Sequence, residues 1–207
     1  MRFFYQNKLT QQASPGICKF MVTGVFILFS FTAFSQVTKY ENEKYVIILD
    51  VQQYWTDKTL SIEVSAQMLN SINALIEKSN PEKVIYIKSI HKVLLLSFKG
   101  FKVDTTLNNE FDRNLKIVND NIFIKTEGDA FATKELTDFL KKNHAKEIMI
   151  TGLLAEKCVN ATTLGGLSRG YSIFLVSSAI GGKSQKSMEK VFKKLEAKGA
   201  KILTMND

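Results

Sequence analysis

The chain has 207 residues, 45% of them apolar and 23% charged, with a formal net charge of +8. That composition suits one globular domain with a real core and excludes two large domains, a disordered chain and a low-complexity protein. Its lysines are scattered, as in Lys141-Lys142 and Lys193-Lys194, with neither a clustered basic surface nor a recognisable module, so no nucleic-acid partner is expected.

The N-terminus reads as a segment separate from the fold. Arg2, Lys8 and Lys19 are the only charged side chains up to Ser35, and an apolar run extends from Phe20 to Phe34. That run is shorter than the roughly 20 residues that span a bilayer. Ala33-Phe34-Ser35 before Gln36 is a small-x-small pattern that suits signal peptidase. The expectation is a secretory signal peptide over 1–35 and a folded domain over 36–207, exported to the periplasm or the medium. No stable membrane insertion is expected after cleavage, and an uncleaved anchor is the alternative. Losing three basic and no acidic residues takes the net charge from +8 to +5. Cys18 precedes the apolar run, which does not indicate a lipidated cysteine, and it leaves with the signal peptide. Cys158 is then alone, unable to form an internal disulfide, and is either an inert buried thiol or a reactive one.

Short apolar runs alternate with segments of helical period along the rest of the chain. Tyr45–Leu49 (YVIIL) is a strand that runs into Asp50. Leu60, Val64, Met68, Ile72 and Leu75-Ile76 recur at helical spacing, and Asn80-Pro81 stops that helix. Val84–Ile87 and Val93–Phe98 read as strands, and the stretch from Lys99 to Asn121 as loop with a short helix or strand. Ile122–Ile124 leads into Lys125, and Lys134 to Lys142 has helical character. Ile148–Thr151 ends at Gly152. A helix over Cys158 to Arg169 closes at Gly170, followed by a strand at Ser172–Val176. The last elements are an amphipathic helix from Ser187 to Lys198, stopped by Gly199, and a strand at Ile202-Leu203.

Strands apolar on both faces and separated by helices imply a parallel sheet covered on two sides. With right-handed crossovers the expected fold is α/β, a three-layer α/β/α domain with a doubly wound, mainly parallel, Rossmann-like sheet. In such sheets function gathers at the C-terminal ends of strands. Three reactive side chains fall there: Asp50, Lys125, and Cys158 on the loop that follows Gly152.

Those three groups are chemically complementary. A thiol attacks as thiolate and needs a lowered pKa or a nearby base. Cys158 is expected in the first turn of a helix, where backbone N–H groups favour the anion and could stabilise an oxyanion. Asp50 can take the thiol proton and return it to a leaving group. A cationic Lys125 would hold the carboxylate charged and stabilise the thiolate. Gly152 permits a close turn beneath the site. Taken singly, Asp50 and Lys125 read as a salt bridge at the sheet edge; three complementary groups at three strand ends favour a site.

Four segments in order resemble the isochorismatase-like cysteine hydrolases across nearly all of the domain. They are YVIILDVQQYW at Tyr45 to Trp55, IFIKTEGDAFATKEL at Ile122 to Leu136, IMITGLLAEKCV at Ile148 to Val159, and ATTLGGLSRGYSIFLVS at Ala161 to Ser177. The resemblance implies Asp50 as general acid/base, Lys125 as its charged partner and Cys158 as nucleophile. It also implies a non-proline cis peptide at Leu153–Leu154, turning the Leu154 N–H towards an oxyanion hole beside the Cys158 N–H. Trp55 and Phe131 fall where the family places aromatic groups around the substrate, or else serve as core or rim packing. Ala155 stands at a cleft position where many members carry threonine.

The nicotinamidase branch of that family binds a divalent metal through Asp-x-His and a second histidine. Outside the N-terminal segment the chain has only His91 and His144, and neither lies in Asp-x-His. No metal or other cofactor is expected, which puts nicotinamidase activity in doubt. The Asn160-Ala-Thr162 sequon falls inside a helix and reads as chance. The leading expectation is an exported hydrolase of an amide or related C–N bond in a small molecule, working through a covalent acyl-enzyme. A non-catalytic binding or interaction protein of the envelope is one alternative, and isochorismatase-type ether cleavage is another. The family's use of a neighbouring subunit to shape the pocket makes a homo-oligomer part of the expectation.

Overall fold

The computed structural model of the protein describes residues 44–90, 93–97, 100–104 and 110–204. The segment 1–35, expected as a signal peptide, Cys18 and His91 lie outside the described residues, as do Phe98 and Lys99.

Six parallel strands form the main sheet: β1 (Tyr45–Leu49), β2 (Val84–Ser89), β5 (Ile122–Lys125), β6 (Glu147–Gly152), β7 (Ser172–Ile180) and β8 (Lys201–Leu203). Their order is β5-β2-β1-β6-β7-β8, with each neighbouring pair parallel. The chain winds outward from β1 to β2 and β5, then returns to β1's other side with β6. The topological switch point therefore lies between β1 and β6, where open α/β sheets leave a crevice at the carboxyl ends of the strands.

Two further strands, β3 (Val93–Ser97) and β4 (Gly100–Asp104), do not join this sheet but pair with each other as an antiparallel hairpin. The run at Val93–Ser97 has the continuous apolar character of a buried parallel strand. Its partner begins only three residues after it ends, too close for a parallel crossover and suited to a hairpin.

The pleat of β1 explains the layers. Ile47 and Leu49 face one core with Leu136, Leu140, Val159 and Leu195, on the side of helices α3 (Lys134–Lys142), α4 (Asn160–Ser168) and α5 (Gln185–Glu196). Val46 and Ile48 face the other core with Met68, Leu69, Ile72, Leu75 and Ile76 of helix α2 (Ile62–Lys78). Alternate side chains of a strand point to opposite faces, so an unbroken apolar strand needs two helical layers. All five β1 residues are buried.

Helix α2 begins at Ser61, whose side chain accepts the Val64 N–H, and ends before Asn80-Pro81, where proline opens a 3-10 turn over Pro81–Lys83. A short helix the periodicity does not reveal, α1 (Gln53–Thr59), lies between β1 and α2. Among the described residues no helix is long and apolar enough to cross a membrane. Thr162, the hydroxyl residue of the sequon, is fully buried and accepts the Ala130 N–H at 3.0 Å.

Candidate active site

Asp50, Lys125 and Cys158 meet at the carboxyl edge of the sheet. Lys125 Nζ lies 3.0 Å from Asp50 Oδ2 and donates to Cys158 Sγ at 3.2 Å and to the Glu127 carbonyl at 3.1 Å. The lysine therefore sits between carboxylate and sulfur, holding both while its third proton is bound by backbone. Lys125 and Asp50 are 2% and 5% exposed, so the pair is shielded from solvent and salt.

Local backbone places these groups. Asp50 leaves β1 in the left-handed region (φ 56°), a conformation aspartate tolerates better than most residues and one that turns its side chain at the strand end. Its own N–H donates to Ile87 O at 3.0 Å, tying it to β2. Gly152 ends β6 with φ 104°, and a Cβ there would drive into the Leu49 backbone carbonyl. The expected glycine turn is present and lets β6 press against the strand end that carries Asp50.

Cys158 does not open the helix that follows. A π turn over Ala155–Val159 precedes α4, with the Leu154 carbonyl accepting from both Lys157 N–H (2.9 Å) and Val159 N–H (3.2 Å). Cys158 is the fourth residue of this wide turn, a form of helix often found at functional sites. Burial pushes the Cys158 thiol up to about 11, the Asp50 charge adds to the rise, and Lys125 opposes it. Of the two routes open to a thiol, a lowered pKa or a nearby base, the surroundings favour the second: desolvation and the carboxylate outweigh the lysine, and the sulfur rests protonated.

A cleft of about 140 Å³ opens beside the sulfur, lined by Asp50, Trp55, Thr59, Ser89, Leu153, Leu154, Lys157 and Cys158. Trp55 and Leu154 stand in its wall. Leu153 also reaches the cleft while its N–H donates to Leu49 O at 2.9 Å. Phe131 does not line it. Phe131 is buried in the core at 2% exposure and stacks on Tyr171 with ring centroids 5.2 Å apart. Ala155 is fully buried, its N–H donating to Gly181 O at 2.8 Å, and lies behind the cleft instead of in it.

Three participants escaped the sequence reading. Ser89 Oγ–H donates to Asp50 Oδ1 at 2.6 Å, and the fully buried Gln52 grips the Ser89 backbone, accepting its N–H at 2.8 Å and donating to its carbonyl at 3.1 Å. Ser89 ends β2 and pairs in register with Lys125 of β5. The strand-end rule that selected the triad would have selected Ser89 had β2 been read two residues longer. Lys157, next to Cys158 in the chain and at the cleft, is the third.

Among the described residues no group of three or more His, Cys, Asp or Glu side chains could hold a metal ion. The carboxylate nearest the sulfur is already bound by a lysine and a serine. This donor set does not fit a divalent metal built on imidazole and carboxylate.

Similarity to known proteins follows the same outline. A secreted isochorismatase effector of Verticillium dahliae is 24% identical over 138 residues, 67% of this chain and 72% of its own. An uncharacterised isochorismatase family protein of Bacillus subtilis is 27% identical over 146 residues, covering 67% and 74%. A pyrazinamidase of Pyrococcus horikoshii, solved in complex with zinc, superposes with a TM-score of 0.65 at 23% identity, covering 79% of this chain and 99% of that one. An isochorismatase-like hydrolase of Alkaliphilus metalliredigens gives 0.65 at 16% identity, covering 80% and 96%. The isochorismatase domain model matches residues 44–207, from the residue before β1 to the last residue of the chain, and the protein belongs to the isochorismatase-like hydrolase family.

Proposed function

We propose that the protein is a cysteine-dependent hydrolase of an amide or related C–N bond in a small molecule. The observation that carries this is the buried Lys125 Nζ lying within 3.2 Å of both the Asp50 carboxylate and the Cys158 sulfur, two groups that line a cleft. A protonated thiol with a carboxylate beside it needs its proton removed at the moment of attack. Asp50 takes the Sγ proton as the sulfur adds to the substrate carbonyl. The oxyanion is met by backbone N–H groups at Leu154 and Cys158. Collapse breaks the C–N bond, the amine leaves with the proton from Asp50, and a thioester remains. Water, deprotonated by Asp50, then releases the carboxylic acid and restores the thiol. Lys125 keeps Asp50 ionised and steadies the sulfur as it gains charge.

A panel of small amides assayed with wild type and Cys158→Ala tests this. The variant should lose all turnover and all thiol labelling at this position. Turnover by Cys158→Ala at the wild-type rate would sink the reading. The second reading, a binding protein without catalysis, draws on the thiol's rise to about 11, which leaves it sluggish in the absence of substrate. It predicts no turnover of any amide and unaltered ligand binding in Asp50→Asn.

We also infer export, with residues 1–35 removed as a signal peptide. The relative named as a secreted effector supports it. N-terminal sequencing of protein recovered outside the cytoplasm should begin at Gln36, and an intact Met1 there would count against cleavage.

A further inference from the structure

The π turn that carries Cys158 is fastened from behind. Glu156 stands two residues before the sulfur in that turn but is not among the residues that line the cleft. Its Oε1 accepts the Lys183 N–H at 3.0 Å and the Ser187 hydroxyl, both at the amino end of α5. Its Oε2 is buried, with no hydrogen-bond donor among the described residues. The carboxylate therefore faces the protein, at an end of a 12-residue helix where unpaired N–H groups and the helix dipole favour an anion. Backbone completes the fastening. Ala155 N–H donates to Gly181 O at 2.8 Å and Gly181 N–H to Gly152 O at 3.0 Å. The segment 181–184 passes so close that side chains would not fit: a Cβ at Gly181 would press on Leu153 in the cleft wall, and one at Gly182 would drive into Met188 and come within 3.1 Å of Glu156 Oε1. The backbone bond holds the turn at Ala155; one residue nearer the sulfur, the Glu156 side chain holds it. Residues two apart in a helical turn point to nearly opposite sides, so drawing Glu156 towards α5 presents Cys158 to the side where Asp50 and Lys125 lie.

We propose that Glu156 is a positioning residue, whose carboxylate ties the nucleophile turn to the amino end of α5 and thereby sets the depth at which Cys158 Sγ meets Asp50 and Lys125. This rests on the hydrolase reading only for Cys158 being the nucleophile; the depth of the sulfur is a property of the fold. With the tie cut, the turn loosens, and the sulfur gains solvent and distance from both partners. Burial, the largest cause of the thiol's rise to about 11, and the Asp50 charge, the next, then weaken together. The charges that the thiol feels are those of Asp50 and Lys125, so a change at Glu156 reaches the sulfur through its position.

The pH dependence of iodoacetamide alkylation in the full-length protein, followed on the Cys158 peptide by mass spectrometry, tests this without any substrate. Glu156→Ala should bring the midpoint down by about one pH unit or more. Its rate at pH 8 should rise about threefold or more, the gain in thiolate being partly offset by weaker nucleophilicity. Glu156→Gln keeps an acceptor oxygen for Lys183 and Ser187 and should return the midpoint most of the way to wild type, which an effect of the charge alone would not allow. Ser187→Ala cuts one of the two bonds from the α5 side and should shift the midpoint the same way by less. The double variant Glu156→Ala/Ser187→Ala should match Glu156→Ala, because the same tie is cut in both. Should Glu156→Ala not fold, Ser187→Ala carries the test. A midpoint that stays at the wild-type value in Ser187→Ala and in any folded Glu156→Ala, or equal falls in Glu156→Ala and Glu156→Gln, overturns the proposal. Failure of the hydrolase reading is seen separately, as amide turnover that persists in Cys158→Ala.

Discussion

Ser89 Oγ–H donates to Asp50 Oδ1 at 2.6 Å, on the carboxylate oxygen that Lys125 leaves open. The carboxylate is thus clamped from two neighbouring strands, β2 and β5, and cannot rotate away from the sulfur. Ser89→Ala removes one hydrogen bond to a buried charge, worth about 1.5–3 kcal/mol. The expected result is a kcat about tenfold to a hundredfold lower. Ser89→Thr, which keeps the hydroxyl, should recover part of that loss, whereas a residue that merely fills space would gain nothing from it. Steady-state kinetics on whichever amide the panel identifies gives the comparison.

Asp50 has opposite parts at rest and in the proposed turnover. At rest its charge helps hold the Cys158 proton on, second only to burial in raising the thiol to about 11. Neutralising it in Asp50→Asn removes a raising influence, so the thiol pKa must fall. The iodoacetamide rate near pH 8 should therefore increase in Asp50→Asn, while amide turnover is lost for want of a base. The alkylation rate of wild type should still be climbing at pH 10, with a midpoint near 11. A midpoint near 8.5 in wild type would mean that the burial and charge argued for Cys158 are not felt in solution.

Much of this arrangement was legible in the sequence. The parallel sheet followed from strands such as YVIIL, apolar at every position, because only two helical layers can bury both faces. Asp50, Lys125 and Cys158 were selected by lying at strand ends, and the structure brings all three together. Long-range packing decided what local pattern did not. Phe131 sits in a segment that resembles a substrate-lining one, yet its ring is taken by Tyr171 and the core. Val93–Ser97 has the pattern of a buried strand but pairs locally as a hairpin. Cys158 was expected to draw on a helix N-terminus, but it lies within a π turn, and burial and the Asp50 charge raise the affinity of the sulfur for its proton. No pattern in single residues announces a π turn, whose first residue, Ala155, is tied by its N–H to Gly181 O, far along the chain.

Lys125 bears on the fold as well as on the proposed chemistry. Its replacement by methionine keeps the aliphatic stem and removes the charge, leaving Asp50 buried without its cation. Breaking a buried pair by removing one partner costs about 3–5 kcal/mol, because the remaining charge is uncompensated. Lys125→Met should lower the midpoint of chemical denaturation accordingly. The double variant Lys125→Met/Asp50→Asn should recover much of the stability but none of the activity. Lys125 also opposes the rise of the thiol, so Cys158 in Lys125→Met should alkylate more slowly than in wild type at pH 8.

Gly152 joins the fold to the site most directly. Its φ of 104° lies where side chains are strained, and an added Cβ would meet the Leu49 backbone. The clash is with main chain and cannot be relieved by rotating a side chain. Gly152→Ala should therefore push β6 away from the end of β1, at a cost of at least about 1–3 kcal/mol from backbone strain alone. Because Asp50 follows Leu49 and Cys158 follows Gly152, the same displacement should separate carboxylate from sulfur. The variant is expected to melt at a lower temperature and to lose turnover. Its Cys158 should also alkylate faster near pH 8, since moving Asp50 away removes part of what raises the thiol. An equal loss of stability elsewhere, as in Ile72→Ala within the α2 core, should lower the melting temperature without changing the alkylation rate at temperatures where the protein stays folded.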